Sequence, residues 1–178
     1  TSKSKYTSIQ SIVSPAFRYD YLHAQSSEYT YKKSILISLP ASFDVASYIL
    51  KFCHNNLPSN HHSNVVINCH PVLELGAINY INILKKYYDY EFSDNLFSDL
   101  IINAGLVISN SSSACVESIA YGVPVIIIHG GSPINQNPIP CTINKDIWDE
   151  CHDGADFNLA FTRLYVDRNI KVQSIAAK

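Results

Sequence analysis

A chain of 178 residues has the size of one domain with a single buried core. Its 47% hydrophobic and 16% charged content is that of a globular protein, not a disordered one. A formal net charge of −2 with no basic block argues against a broad cationic face for nucleic acid. No apolar run approaches the roughly 18–20 residues that span a bilayer.

The first thirty residues are polar and irregular, with one short helix expected over Pro15 to His23 (PAFRYDYLH), where proline suits a first turn. Methionine is absent, and Thr1 to Gln10 has the look of a linker. The expectation is a piece cut from a longer protein, with residues 1–30 a remnant of a preceding region and 31–178 the folded unit. Regular patterning begins at Ser34. Ser34 to Leu39 (SILISL), closed by Pro40, predicts a buried strand, and Phe43 to Asn55 carries Val45, Ile49 and Phe52 on one helical stripe. A polar loop, Asn56 to Ser63, leads to a second strand at Asn64 to Cys69 (NVVINC).

A helix is expected within Leu73 to Tyr88 and a short strand at Tyr88 to Phe92. A helix at Leu96 to Asn103 follows, closed by Ala104-Gly105 with glycine as a left-handed cap. Leu106 to Ser109 predicts a strand, Ser113 to Tyr121 a helix capped by Gly122, and Val123 to His129 (VPVIIIH) another strand. After a Gly-, Pro- and Asn-rich loop, Gly130 to Pro140, helices are expected at Lys145 to Cys151 and Asp156 to Arg168. Short, nearly all-apolar strands alternating with helices predict a doubly wound α/β fold with a parallel sheet covered on both faces.

The five cysteines (Cys53, Cys69, Cys115, Cys141, Cys151) form no CxxC pair and predict reduced, buried thiols. His54, His61, His62 and His152 lie in polar stretches and are expected at the surface. His61-His62 has no carboxylate or cysteine at ligand spacing, so no metal site is expected. GxGxxG, GxxxxGK[ST] and GxSxG are all missing, which argues against a dinucleotide fingerprint, a P-loop and a nucleophile elbow.

In doubly wound sheets ligands bind beyond the carboxyl ends of the strands. Two segments there carry concentrated polarity. Ser109-Asn110-Ser111-Ser112-Ser113 leads into a helix, where unpaired backbone N–H groups and small hydroxyls suit an anion; an ordinary helix cap would use the same residues. Cys69-His70-Pro71 follows the second strand, where His70 could donate to a phosphate or protonate its leaving oxygen, or simply cap a nearby carbonyl. Glu117, one turn into the helix, could reach a ribose hydroxyl or complement the helix dipole.

The run Asn103 to Ile128 (NAGLVISNSSSACVESIAYGVPVIII) resembles the C-terminal, donor-binding half of a GT-B glycosyltransferase. Sugar epimerases and glycerophosphate transferases share this pattern. His70-Pro71 with Ser112-Ser113 is similar to the HP and SS motifs of bacterial transferases that use CMP-activated Kdo or sialic acid. Ser14 to Leu22 (SPAFRYDYL) is similar to a stretch of surface-carbohydrate biosynthesis proteins of the Kdo-transferase type. The resemblance covers roughly Ser34 to Ile128.

The resemblance implies a Rossmann-like nucleotide-sugar-binding domain and transfer from a CMP donor in lipopolysaccharide or capsule polysaccharide synthesis. His70 would act on the phosphate, Pro71, Ser111, Ser112 and Ser113 would shape its cradle, and Glu117, Glu91 or Asp94 would hold the nucleoside. It implies no cofactor and no metal, a glycan acceptor, and a separate N-terminal domain of the same enzyme carrying the acceptor site and base. The setting implied is cytoplasmic, with peripheral association at the inner membrane. A UDP-sugar transferase or 2-epimerase, and a non-catalytic scaffold domain, are the alternatives.

Overall fold

The computed structural model describes residues 32–75, 80–130 and 137–171. The helix expected at Pro15 to His23 and the remnant at 1–30 lie outside the described residues. Six strands form one sheet: β1 (Ser34–Ser38), β2 (Val65–Asn68), β3 (Glu91–Ser93), β4 (Ala104–Ser109), β5 (Val125–Ile128) and β6 (Trp148–Cys151). Their order is β3-β2-β1-β4-β5-β6 and every pairing is parallel. This is the doubly wound, Rossmann-like arrangement, with the strand order reversing between β1 and β4.

The apolar runs are explained by burial on both faces. In β1, Ile35 and Ile37 face one layer and Leu36 the other; Leu106 and Ile108 are likewise opposed to Val107 in β4, and Ile126 and Ile128 to Val125 and Ile127 in β5. The first layer is filled by α1 (Phe43–Asn56), α3 (Tyr80–Tyr87) and α6 (Gly154–Phe161), through Ile49, Leu50, Leu84 and Phe157. The second holds α4 (Phe97–Ile101) and α5 (Ser113–Ala120), through Ile101 and Cys115. α2 (Pro71–Leu75) has proline at its first position. Beyond α6 the chain widens into a π-type turn, Thr162–Asp167, whose Tyr165 donates to the Lys33 carbonyl at 2.6 Å.

Three expectations are corrected. Gly105 is no helix cap: it lies inside β4, where an added Cβ would collide with the backbone carbonyl of Lys32, so glycine answers a close backbone approach. Lys145 to Cys151 is not a helix but leads into β6, because the wholly apolar β5 needs a hydrogen-bonded neighbour on its outer side. Arg163 fixes that strand, donating to the Trp148 carbonyl at 3.2 Å and to the Asp149 carboxylate at 2.8 Å. The polar loop at Asn56 to Ser63 contains a 3-10 turn, Ser59–Asn64.

The thiols divide. Cys53, Cys115 and Cys151 are buried, Cys69 is half-buried and Cys141 is exposed, and none of the five is in a disulfide. Burial pushes Cys115 and Cys151 up to about 12 and Cys53 higher still. His61 is also less exposed than expected. Its ring meets Phe161 and Tyr165 edge-on, its Nδ1 is enclosed without a partner, and burial lowers its pKa, with His62 adding to the shift. Among the described residues no helix is long and apolar enough to cross a membrane.

Candidate nucleotide-binding site

A cavity of about 210 Å³ opens where β1, β2 and β4 end. The β1 loop (Ser38 to Pro40) forms its floor, His70 and Pro71 one wall, and Ser112, Ser113 and Glu117 the other. The strand order explains the meeting: β1 lies between β2 and β4, so the loops leaving those strands flank one crevice. The floor is pinned across the reversal point by the fully buried Ser109 hydroxyl, which donates to the Ser38 carbonyl at 2.9 Å. A larger cavity, about 370 Å³, lies by Lys33, Asn64 and Asn169, where β1 and β2 begin, away from the crossover loops.

His70 is exposed and caps α2: its carbonyl accepts from the Leu73 N–H at 2.9 Å. Its ring Nδ1 accepts from the Val72 backbone N–H at 3.2 Å. A backbone N–H can only donate, so the neutral ring carries its proton on Nε2. That leaves Nε2–H as the donor for an anion in the cavity. Capping and contact with an anion would thus use different atoms of one residue.

Ser112 is the N-cap of α5, with extended backbone and a hydroxyl oxygen accepting from the Ala114 N–H at 3.2 Å. Its hydroxyl hydrogen is still available to donate, so capping and anion contact are compatible. Ser113 opens the helix and is exposed. Beneath the turn, the Cys115 thiol donates to the Asn110 carbonyl at 3.2 Å, and the Asn110 side-chain oxygen is enclosed with no donor. Gly122, at φ +73°, ends α5.

Among the described residues lining the cavity there is no Lys or Arg. A phosphate there would be met by hydroxyls, backbone N–H groups and the His70 ring, and Glu117 is better suited to a sugar hydroxyl than to the anion.

The remaining candidates are not brought in. Ser111 is in the turn but does not line the cavity. Glu91 is at the start of the edge strand β3, and Asp94 follows that strand; both are exposed and neither reaches the cavity lining. Asn68 and Phe97 do line it without having been singled out. Asn68 ends β2 and donates to the Asn95 carbonyl at 3.1 Å, tying the β3 loop to this edge. Its position at a strand's carboxyl end was the available signal.

No protein-family model and no curated protein matches the sequence. Among solved structures, the chain is similar to the β-Kdo 2,7 transferase KpsC of Thermosulfurimonas dismutans, at 18% identity and a TM-score of 0.45. The match covers 75% of this chain and 43% of that one, so the chain spans less than half the length of that transferase.

Proposed function

We propose that this chain is the donor-binding domain of a glycosyltransferase that takes a Kdo- or sialic-acid-type sugar from a CMP donor for a surface glycan. One observation supports the reading above others. His70-Pro71 and Ser112-Ser113, distant in sequence, line one cavity at the reversal point of a doubly wound sheet. The cavity is small and has no lysine or arginine lining among the described residues, which suits a single phosphate better than a diphosphate.

In this reading the bond between the anomeric carbon and the CMP phosphate oxygen breaks, and its electron pair goes to that oxygen. The His70 Nε2–H, the Ser112 and Ser113 hydroxyls and the positive end of the α5 dipole stabilise the growing charge. Proton transfer from Nε2 would complete departure. The acceptor glycan's hydroxyl oxygen forms the new bond to the anomeric carbon and gives its proton to a base on a separate N-terminal domain of the full enzyme, working in the cytoplasm at the inner membrane. No cofactor enters.

Calorimetric titration of the chain with CMP, UMP and UDP tests the proposal. CMP is expected to bind best, and His70→Ala to weaken it. Preference for the diphosphate would replace this reading with a UDP-sugar transferase or epimerase. Binding of no nucleotide would leave a non-catalytic scaffold.

A further inference from the structure

We propose that His129, Glu150 and His152 form a site for one divalent transition-metal ion of the zinc type, across the carboxyl ends of β5 and β6. The topology puts them together. Ile127 pairs with Glu150 and Ile128 with Cys151, and the ladder continues through the His129 N–H to the Cys151 carbonyl at 2.9 Å. His129 therefore lies beside His152. Cross-strand neighbours share a face, as do residues two apart on one strand, so all three side chains project on the same side.

The side chains lie within reach of one another. The two imidazole rings stack with centroids 4.6 Å apart and planes 12° from parallel. His129 Nε2 is 2.8 Å from Glu150 Oε2, and the three potential ligand atoms lie within 4.8 Å of one another. His129 is only 8% exposed, whereas His152 is at the surface and able to swing.

The surroundings also fit a ligand set. The Asn137 amide donates to Glu150 Oε1 at 2.6 Å, and its own carbonyl oxygen accepts from the Ile139 N–H at 2.8 Å. A carboxylate held through one oxygen presents the other, which is the role outer-sphere hydrogen bonds play around metals.

Two imidazoles and one carboxylate suit Zn²⁺ or Co²⁺; Mg²⁺ and Ca²⁺ prefer all-oxygen sets. Tetrahedral bonds of about 2.0–2.1 Å put ligand atoms roughly 3.3 Å apart, so the widest gap must close by about 1.5 Å. Rotation of the exposed His152 can supply that. The ion displaces the proton shared by His129 and Glu150, and a water or substrate oxygen takes the fourth position.

The test uses the untagged 178-residue chain. Zn²⁺ calorimetry, Co²⁺ absorption in the visible range and thermal melting with and without Zn²⁺ are run on wild type, His152→Ala and Glu150→Gln. Expected are one equivalent bound, tetrahedral Co²⁺ bands, a higher melting temperature with zinc, and at least about ten-fold weaker binding in each variant. His152 is exposed, so its variant should keep the wild-type melting temperature without metal. Absence of a stoichiometric ion at micromolar concentration overturns the proposal. So does unchanged zinc affinity in both variants, which would place the metal elsewhere, for instance on the exposed Cys141.

Discussion

Substitution of His70 by asparagine separates the two functions assigned to its ring. Asparagine Oδ1 can stand where Nδ1 now accepts from the Val72 N–H at 3.2 Å, so the turn into α2 is kept. What disappears is the Nε2–H proposed to meet the phosphate. A hydrogen bond to a charged group contributes about 1.5–3 kcal/mol. Because His70 is exposed and water competes for the phosphate, the lower end applies, giving roughly ten-fold weaker CMP binding. His70→Gln, whose amide nitrogen reaches nearer the Nε2 position, should recover part of the loss. The assay is CMP calorimetry beside urea denaturation, with folding stability of the asparagine variant expected within about 0.5 kcal/mol of wild type. Wild-type CMP affinity in His70→Asn would refute the donor assignment. A loss of affinity matched by a comparable loss of stability would show that the ring serves only the turn.

Ser112→Ala removes the α5 cap as well as the proposed phosphate donor, so it should cost about 1 kcal/mol of stability and also weaken CMP binding; an unchanged urea midpoint would contradict the cap. Gly105→Ala should destabilise by about 1–3 kcal/mol, because its methyl meets the Lys32 carbonyl; a wild-type urea midpoint would show that β4 has room. The buried thiols predict a pH effect. In the unfolded chain they ionise near the ordinary thiol value of 9.0, whereas burial makes folded Cys115 and Cys151 hold their protons to about 12. The unfolded state therefore binds fewer protons in that window, and stability, fully present below pH about 9, should fall as pH rises toward 12. Replacing Cys115 by alanine should make the decline shallower in alkaline urea titrations. Cys141 should react with a thiol reagent well before Cys53 and Cys115, and simultaneous labelling would contradict their burial.

Much of the fold was legible because a doubly covered parallel sheet leaves a strong local mark. β1, β2, β4 and β5 are apolar on both faces or nearly so, and Pro40 and Gly122 punctuate them where the backbone must turn. The misplaced elements are those settled by distant partners. Gly105 has the local chemistry of a cap, but the Lys32 backbone passing against β4 decides its use. Ile147, Trp148 and Cys151 have helical spacing, yet pairing with β5 outweighs it. The helix expected within Leu73 to Tyr88 is present at Tyr80–Tyr87, and Pro71–Leu75 is helical as well.

The same distinction governs the two sites. His70 and the serine turn each announce themselves at a strand's carboxyl end, and a parallel sheet places all such ends on one edge. Strand order then decides which loops meet, and this is not a local property. With β1 between β2 and β4, His70 and Ser112 line one crevice, while Glu91 and Asp94 lie at the start of and just after β3, three strand spacings or about 14 Å from β4. The His129, Glu150 and His152 cluster depends on secondary structure still more directly. Were 145–151 helical and continued, Glu150 and His152 would point about 200° apart, on opposite sides. In an extended strand they share a face, and the β5 register sets His129 beside them. One substitution of element type in a seven-residue segment therefore separates a scattered set of surface residues from a three-ligand constellation, and it is the partner strand, not the segment's own sequence, that makes the choice.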